Sequence, residues 1–382
     1  MRTTIGIDIR MLARGNKSGV EEYTSELLEH MLPLGGDIRF KLFYNGWKKE
    51  PLDFKWLELP NVELKEFRIP NRILDGTFRF LDLPKVDSLL GGVDKFFSPH
   101  IFLSSVGKSC EKIVTFHDLS FEKYPEFYSS QKNFWHFSMN PRQQAERADN
   151  IIAVSASTKQ DLVEIYKIAP EKIKVIYSGL SMKVKKEVLP QEKIYVQKKY
   201  NLPDNYILYL GTLEPRKNIV SLLTAFDRLK KENTFKDSGL KLVIAGAKGW
   251  LYNEIFTTAQ KFSSRGDIVF TGFVEDEYKP ALYRGAKLFV YPSFYEGFGF
   301  PPLEAMAKGT PVVTSGISSI PEAVENAAMT VNPTSPDELY RAMREVLTDP
   351  KLSSLLSARG YERAKIFDWN KCAKETLEFI VG

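Results

Sequence analysis

The stretch YILYLGTLEPRKNIVSLLTAF, residues 206–226, contains the unit from which the fold is predicted. It begins with an apolar run typical of a strand buried on both faces, continues through a glycine turn and ends in the apolar spacing of a helix. Strands of this kind, each followed by a helix, form parallel sheets that helices cover. The stretch therefore predicts one strand–loop–helix unit of a doubly wound α/β domain.

The same alternation recurs along the chain. The other runs that predict strands are TTIGIDI, KIVTF, NIIAVS, KIKVIY, KLVIAG, DIVFTG, KLFVYP and TPVVTS. They are too many for one compact sheet, and a lysine-rich polar interval separates them into two groups. At 382 residues the chain also exceeds the length at which single cores stop growing. We therefore predict two doubly wound domains, residues 1–182 and 201–364, joined by a linker, residues 183–200, with a binding crevice between them.

The composition indicates a soluble globular protein and excludes several classes. Hydrophobic residues make up 43% and charged residues 26%, which is ordinary for packed domains. The formal net charge of +5 is too small to indicate a nucleic-acid partner. Cys110 and Cys372 lie far apart, so we expect neither a disulfide framework nor a zinc site. Because the sequence shows no signal-peptide core and no uncharged run that could span a bilayer, we expect a cytoplasmic protein.

Two adjacent cations, Arg216 and Lys217, follow the strand of residues 206–210. Ligands of open parallel sheets bind outside the carboxyl ends of the strands. Cations are disfavoured at the positive end of a helix dipole unless an anion joins them, and here a helix begins directly afterwards. An arginine fork and a lysine point charge, with backbone donors at Gly211 and Thr212 beneath them, suit a diphosphate. The alternative is a pair of solvated charges.

Two carboxylates, Glu296 and Glu304, lie in the stretch FYEGFGFPPLEAMAKGTPVV, residues 294–313. The glycines permit a sharp turn with exposed backbone N–H groups, and LEAMAKG indicates a helix that Gly309 ends. Glu296 is thus expected in a loop and Glu304 about one turn inside the helix. A loop carboxylate suits sugar hydroxyls and the second suits a vicinal diol such as ribose, with phosphate near the free N–H groups between them.

Two loops of the N-terminal half are weaker candidates. Gly15 and Gly19 precede a helical pattern and can bring backbone N–H groups to an anion, although glycines also serve as simple turn formers. His117 follows a buried strand directly and could bind a ligand hydroxyl, with Asp118 fixing its tautomer. A structural histidine that caps the next turn fits the position equally well.

Three segments have two open interpretations each. Residues 183–199 hold six lysines and two glutamates, which suits a solvated linker or a patch for anionic lipid headgroups. The segments EFRIPNRILDGTFRFLDLP and YPEFYSSQKNFWHFSMN are rich in aromatic residues and cations. They fit ordinary core helices, whose aromatic residues pack inward, or a surface that meets lipid or saccharide.

In combination, these motifs resemble the retaining glycosyltransferases of family 4. The resemblance rests on GTLEPRKNI, on the E-x7-E of Glu296 and Glu304, on HDLSFEKYP and on IIAVSASTKQDLVEIYKIAPEKIKVIYSGL, and is nearest to bacterial mannosyltransferase-type members. It implies the GT-B architecture, in which two Rossmann-like domains face one cleft. The N-terminal domain would meet the acceptor, residues 201–364 would bind the nucleotide sugar, and a C-terminal helix, residues 365–382, would complete the N-terminal domain.

The resemblance also implies roles for individual residues. Arg216 and Lys217 match the pair that stabilises the departing diphosphate. Glu296 matches the acid near the transferred sugar, His117 the histidine beside that sugar, and Glu304 the acid on the ribose hydroxyls. The other implied donor-binding positions are Gly19 in the N-terminal glycine loop, Val274 at the base, and Phe298, Gly299, Phe300 and Leu303 in the loop that holds sugar and phosphate.

The implied reaction moves a hexose from a nucleoside diphosphate to a saccharide or lipid-linked acceptor hydroxyl with retention of configuration. GDP-mannose is the expected donor, and UDP-glucose, UDP-N-acetylglucosamine and GDP-fucose are alternatives. No residue is an obvious nucleophile, so we expect front-face attack that depends on positioning and charge stabilisation. We expect no cofactor and no metal. The rival classes are a sugar-nucleotide epimerase and a binding module without chemistry, and peripheral contact with the inner face of a membrane is a further expectation.

Overall fold

The computed structural model describes residues 3–14, 19–46, 52–181, 184 and 187–382. Contacts divide the chain into two compact units. Unit 1 comprises Met1–Leu119, Gln131–Gly179 and Asp368–Gly382, and unit 2 comprises Ser120–Ser130 and Leu180–Phe367. The sequence-based limits differ from these units because residues 120–130 and all of the suggested linker, residues 183–200, belong to unit 2. The predicted limits stay a prediction about independently folding domains.

Unit 1 is built on a seven-stranded sheet whose neighbouring strands are all parallel. Its strands are β1 (Thr4–Asp8), β2 (Arg39–Asn45), β3 (Val62–Phe67), β4 (Lys95–Ser98), β5 (Glu111–Phe116), β6 (Asn150–Ala153) and β7 (Ile173–Val175). The spatial order is β3-β2-β1-β4-β5-β6-β7. Because the order reverses between β1 and β4, the sheet is doubly wound, as predicted.

Helices of unit 1 lie along the chain between these strands. They are α1 (Gly19–Met31), α2 (Asn71–Phe80), α3 (Val86–Leu89), α5 (Ser130–Met139), α6 (Pro141–Arg147), α7 (Ala156–Tyr166) and α17 (Trp369–Val381), while α4 (Ser120–Lys123) belongs to unit 2. The C-terminal helix α17 packs on α1, where the rings of Tyr23 and Trp369 lie 5.6 Å apart. The Nζ atom of Lys95 donates to the carbonyl oxygen of Val381 at 3.0 Å. The end of the chain is thus part of unit 1.

Unit 2 is built on a six-stranded parallel sheet in the order β10-β9-β8-β11-β12-β13. Its strands are β8 (Tyr206–Leu210), β9 (Lys241–Ala245), β10 (Ile268–Gly272), β11 (Leu288–Tyr291), β12 (Val312–Ser315) and β13 (Met329–Val331). The remaining helices are α8 (Pro190–Lys199), α9 (Ile219–Lys230), α10 (Asn233–Lys236), α11 (Asn253–Lys261), α12 (Lys279–Gly285), α13 (Phe300–Ala307), α14 (Ile320–Val324), α15 (Pro336–Thr348) and α16 (Pro350–Ala364). The order reverses between β8 and β11, so this sheet is also doubly wound.

The sequence did not predict four of the strands, β2, β3, β4 and β13. Strand β13 has three residues and β4 has four, too few for a clear periodicity. Strand β3 is an edge strand of half-buried and charged residues. Strand β2 carries Lys41 at a buried position, which interrupts its apolar pattern. The structure accommodates this lysine because its Nζ donates to the backbone carbonyls of Leu90, Gly91 and Gly92 at 2.8 to 3.1 Å.

The lysine-rich interval contains a helix. Helix α8 spans ten residues within it, and the capping carboxylate of Glu192 accepts from the backbone N–H of Leu189 at 3.1 Å. Lys199 at its end forms an ion pair with Glu275 at 3.1 Å. Lys183, Lys185 and Lys186, like Gly15 of the N-terminal glycine loop, lie outside the described residues.

Candidate functional site

The candidate site of unit 2 lies where the strand order reverses. Strands β8 and β11 are neighbours, with Ile207 opposite Leu288. The loop that leaves β8 comprises residues 211–218 and is here called the basic loop. The loop that leaves β11 comprises residues 292–299 and is here called the acidic loop. In an open parallel sheet this reversal point is where ligands bind. The two loops bring together the basic pair and the first acid that the sequence singled out.

Arg216 forms hydrogen bonds with the middle of the acidic loop. Its Nη1 donates to the carbonyl oxygen of Tyr295 at 2.7 Å and to Oε2 of Glu296 at 3.3 Å. Its Nη2 and Nε both donate to Oε1 of Glu214, at 2.9 and 3.2 Å. The carbonyl oxygen of Arg216 accepts from the backbone N–H of Phe294 at 2.9 Å. The guanidinium therefore fixes the loop backbone as well as contributing charge.

Lys217 points into the same cluster and is 7% exposed. Its Nζ donates to Oε1 of Glu296 at 2.6 Å and to the hydroxyl oxygen of Tyr291 at 2.8 Å. The ammonium has three N–H donors, so one of them has no partner among the residues that the structure describes. Ser293 also donates to Oε1 of Glu296 at 2.6 Å. Glu296 is thus held by both cations and by a hydroxyl.

The cluster is balanced in formal charge, because the cations Arg216 and Lys217 meet the carboxylates of Glu214 and Glu296. Burial acts to raise the pKa of Glu296, but Lys217, Arg216 and the hydrogen bonds outweigh it and lower that pKa from 4.5 to about 2. Burial and the neighbouring Arg216 lower the pKa of Lys217, although Glu296 and Glu214 oppose this. The lowered pKa of Glu296 agrees with the geometry, because its carboxylate contacts two cations.

Local sequence explains why Arg216 and Lys217 face inward. Residues Pro215–Lys217 form a short 3-10 helix, and Asn218 then adopts a left-handed conformation with φ of 55° before α9 begins. The side-chain amide of Asn218 donates to the carbonyl oxygens of Pro292 at 3.0 Å and Pro333 at 2.7 Å. The asparagine therefore ties the basic loop to the start of the acidic loop.

The second acid, Glu304, lies one turn inside α13, as the sequence predicts. Gly299 precedes the helix with φ of +98°, and a Cβ there would lie 2.5 Å from Cδ1 of Ile320, so glycine is required on both counts. Oε2 of Glu304 accepts from the hydroxyl of Tyr283 at 2.6 Å. Phe298 and Leu303 are buried around this turn and Phe300 is partly buried.

An aromatic segment, residues 120–130, supports the acidic loop from within unit 2. The ring of Phe127 stacks on Phe294 with centroids 5.4 Å apart, and the ring of Tyr124 lies 5.8 Å from that of Tyr295. Nε1 of Trp250 donates to the carbonyl oxygen of Phe127 at 2.5 Å. The sequence analysis places this segment in the N-terminal domain. The candidate site residue that lies nearest to it in the sequence is His117.

A cavity of about 510 Å³ opens beside the basic loop at the carboxyl edge of β9 and β10. Its lining includes Lys248, the stacked rings of Phe256 and Phe270, and Phe273. Val274, the position implied for the base, follows Phe273 and is itself buried. The cavity has the size and apolar lining of a small-molecule site.

Gly211 and Thr212 stand at the start of the basic loop. Thr212 is exposed and Gly211 partly buried. Gly246 follows β9 with φ of +146°, and a Cβ there would lie 1.9 Å from the carbonyl oxygen of Gly211. The two loops therefore approach so closely that residue 246 has to be glycine.

His117 and Gly19 are the two candidate site residues of unit 1 that the structure describes. Nε2 of His117 donates to the carbonyl oxygen of Pro99 at 2.8 Å, and the imidazole packs edge-on against Tyr23 at 4.7 Å. Burial lowers the pKa of His117, and the Pro99 carbonyl and Asp118 only partly oppose it, which favours the neutral ring. Gly19 is the first residue of α1, and a Cβ there would meet nothing within 4 Å. The roles implied for both residues stay predictions.

The sequence reasoning missed several residues of the cluster. Glu214, Tyr291 and Ser293 were not singled out, although each lies within five residues of a predicted site residue. Glu214 had a detectable signal, because a carboxylate two residues before an arginine at a strand end is a candidate ion-pair partner. Tyr291 and Ser293 had none, since a tyrosine and a serine at the end of a buried strand are ordinary.

Among the residues that the structure describes, no cluster of three or more His, Cys, Asp or Glu side chains could hold a metal ion. None of the helices in the described ranges combines the length and apolarity needed to cross a membrane. Cys110 and Cys372 are both buried free thiols, and burial raises the pKa of each to about 12.

Comparison with protein families gives two matches that together cover most of the chain. Residues 190–363 match the family described as "Glycosyl transferases group 1". Residues 17–183 match the family described as "Glycosyltransferase Family 4". The two matches correspond to the C-terminal and N-terminal halves.

Two similar curated proteins are mannosyltransferases of Escherichia coli. "O-antigen chain mannosyltransferase B" of Escherichia coli is 33% identical over 266 residues, which cover 69% of this chain and 68% of that protein. "Serotype-specific mannosyltransferase WbdA" of Escherichia coli is 36% identical over 265 residues, which cover 69% of this chain but only 32% of WbdA. The matched region is therefore about a third of WbdA.

A solved structure of the same fold is that of Anabaena Alr3699/HepE in complex with UDP and glucose. It matches with a TM-score of 0.72 and 18% identity over 100% of both chains. This likeness concerns the fold alone. Together with the family matches it confirms the predicted GT-B fold class.

Proposed function

Because the chain belongs to the family 4 glycosyltransferases and is therefore a transferase, we propose that it moves mannose from GDP-mannose to a saccharide or lipid-linked acceptor hydroxyl with retention of configuration. The observation that carries the proposal is the buried cluster of Arg216, Lys217 and Glu296 at the reversal point of the unit 2 sheet. The mannosyltransferase relatives support the choice of sugar.

The diphosphate is assigned to the basic loop. The remaining N–H donor of Lys217 supplies one charge-assisted hydrogen bond, and the backbone N–H groups of the glycine-containing acidic loop supply others. Since Glu214 and Glu296 already balance the two cations, the cluster holds no large excess of positive charge before the donor binds. Specificity for the diphosphate then depends on directed donors at fixed positions rather than on net charge.

The nucleoside is assigned to the adjoining edge of the sheet. Glu304 keeps its second oxygen for the ribose diol, and Tyr283 holds the carboxylate in one orientation. The base is assigned to the cavity of about 510 Å³, where the exposed ring of Phe273 offers a stacking surface beside Val274.

The proposed chemistry breaks the bond between the anomeric carbon and the bridging oxygen of the β-phosphate. The acceptor oxygen forms its bond on the same face, and its proton passes to the departing diphosphate. Arg216 and Lys217 stabilise the charge that develops on the leaving group, which is the role that a metal ion would otherwise fill. We therefore propose that the reaction needs no metal.

UDP-glucose is the second donor candidate. The HepE complex contains UDP and glucose, but at 18% identity this likeness concerns the fold alone and carries no weight for donor choice. The relatives that are 33% and 36% identical are both described as mannosyltransferases. GDP-mannose is therefore the first donor to test.

The test supplies purified protein with GDP-mannose, UDP-glucose, UDP-N-acetylglucosamine or GDP-fucose and with mannoside acceptors. The expected result is mannosyl transfer from GDP-mannose alone, with the donor's anomeric configuration retained in the product by NMR. Transfer from UDP-glucose instead would overturn the donor assignment, and an inverted product would overturn retention. If the protein binds a sugar nucleotide without turning it over, it is a binding module. If it converts one sugar nucleotide into another without transferring the sugar, it is an epimerase. A variant with Arg216→Ala and Lys217→Ala is the negative control.

A further inference from the structure

Helices α2 and α5 of unit 1, with the turn that follows α2, present large apolar side chains to solvent. Of α2 only Leu74 and Phe78 are buried, and of α5 only Met139. The exposed apolar side chains, with exposed fractions of 53 to 80%, are Ile73, Phe80, Leu81, Leu83, Phe134 and Phe137. We call this set the aromatic face. Single exposed apolar side chains are ordinary, but six on two helices and one turn are not.

The aromatic face is one surface rather than scattered residues. Arg79 of α2 donates through Nη1 to the carbonyl oxygen of Ser138 of α5 at 2.6 Å. Its guanidinium lies 5.8 Å from the ring of Phe80 and 5.4 Å from the ring of Phe137. The inner sides of both helices belong to the same apolar core cluster. The two helices therefore share one core cluster and are linked at the surface by Arg79, whose guanidinium lies near the exposed rings of both Phe80 and Phe137.

Cations outnumber acids on and beside the aromatic face. Arg68, Arg72 and Lys132 are exposed and flank or belong to the two helices. The two helices contain one acid, Asp75, whose Oδ1 lies 3.8 Å from the buried guanidinium of Arg10. The turn after α2 contains a second acid, Asp82, which pairs with Lys85 at 2.7 Å and Arg147 at 3.6 Å. Rings beside several cations match the chemistry of an anionic lipid surface, where aromatic side chains settle at the headgroup level.

We propose that the aromatic face docks the protein on the surface of an anionic lipid bilayer. The rings enter the boundary between headgroups and acyl chains, and the cations pair with lipid phosphates. A second copy of the chain is the less suitable occupant, because a symmetric interface would bring together two surfaces that both carry a net positive charge. The inference depends on this surface alone, so it stands independently of the donor proposed above.

A rival surface in unit 2 provides the matched control. Helix α8 exposes Ile194 and Tyr195 by 52 and 54% and lies in the lysine-rich interval. Its Lys199 already pairs with Glu275, and Tyr195 contacts the ring of Tyr278. If any basic apolar helix sufficed for lipid binding, α8 would contribute as much as the aromatic face.

The experiment is co-sedimentation of the full chain with vesicles of phosphatidylcholine alone or with 30% phosphatidylglycerol. The test variant carries Phe80→Ser, Phe134→Ser and Phe137→Ser, and the control carries Ile194→Ser and Tyr195→Ser. We expect the test variant to lose at least about tenfold in partition coefficient on anionic vesicles, while the control stays within about twofold of the unchanged protein. Arg72→Gln should weaken binding about fivefold, and added salt should weaken it further.

Folding is checked by circular dichroism and by the melting temperature of each variant, and the exposed positions make unchanged values the expectation. Equal vesicle binding by the test variant and the unchanged protein would overturn the proposal, as would loss of binding in the α8 control instead. No binding of the unchanged protein to anionic vesicles would overturn it as well. A dimer in light scattering that the triple substitution converts to monomer would show that a second copy covers the face, and would also overturn it.

Discussion

Glu296→Gln tests the electrostatics of the buried cluster. The amide keeps the shape of the side chain but removes the negative charge that Lys217 and Arg216 contact at 2.6 and 3.3 Å. The two cations would then share one carboxylate, that of Glu214. Removing one partner of a buried ion pair is strongly destabilising because the remaining charge is left uncompensated.

The expected loss follows from the pKa of Glu296. The fall from 4.5 to about 2 corresponds to about 3 kcal/mol of folding free energy, at about 1.4 kcal/mol per pH unit. Because the folded-state pKa lies below the unfolded one, this contribution is fully present above pH 4.5 and is lost as the pH falls through about 2. Glu296→Gln should therefore lower the free energy of unfolding by about 3 kcal/mol at neutral pH, and the difference should narrow only below pH 4.5.

Urea unfolding followed by circular dichroism, at neutral pH and at steps down to about pH 3, measures this difference. Glu362→Gln is the matched control, because Glu362 pairs with Lys365 at 2.7 Å on an exposed helix and should contribute less than about 1 kcal/mol. A Glu296→Gln variant as stable as the unchanged protein at neutral pH would refute the reasoning. So would a difference that stays constant through the acid range.

Three substitutions and one chelation experiment test other parts of the account. Gly246→Ala should lower the free energy of unfolding by at least about 3 kcal/mol, because its Cβ would lie 1.9 Å from the carbonyl oxygen of Gly211. At the control position, Gly266, a Cβ meets nothing within 4 Å, so Gly266→Ala should change the free energy of unfolding by less than about 1 kcal/mol. Urea unfolding measures both differences. Arg216→Lys keeps the charge but loses the fork, so kcat/KM should fall about 100-fold; a fall of less than threefold in steady-state kinetics would contradict the role of the guanidinium. Phe127→Ala removes the ring stacked under the acidic loop, and kcat should fall about tenfold with little change in KM, whereas an unchanged kcat would count against a positioning role. EDTA should leave the rate unchanged, and a loss restored by a divalent cation would contradict metal independence.

The sequence was sufficient for the features that depend on strong periodicity and on backbone chemistry. Buried β-branched runs predicted the parallel sheets, and the glycine, proline and acid pattern around Glu304 predicted a loop followed by a helix. The sequence placed Arg216, Lys217 and Glu296 after strand ends, and the structure adds that strands β8 and β11 are neighbours, so that these side chains meet. Places after strands are informative because strand ends of a parallel sheet meet at one edge.

Other features depend on contacts between distant segments and were not predictable. The sequence suggested an anion for the basic pair, but gave no indication that Glu214 and Glu296 of the chain itself would balance its charge. The packing of residues 120–130 into unit 2 is a tertiary contact that no local pattern encodes. The outward direction of Phe134 and Phe137 was one of two open interpretations, because helical spacing of aromatic residues does not say which face of a helix is covered.

The central claim is that the cluster after β8 and β11 binds the donor diphosphate, and Lys217→Met tests it most directly. Isothermal titration with GDP and with GMP, for the unchanged protein and the variant, isolates the interaction between the Lys217 ammonium and the β-phosphate. A charge-assisted hydrogen bond predicts that the variant loses at least about tenfold in affinity for GDP and less than about threefold for GMP. Equal losses for both nucleotides, or no loss for GDP, would contradict the account.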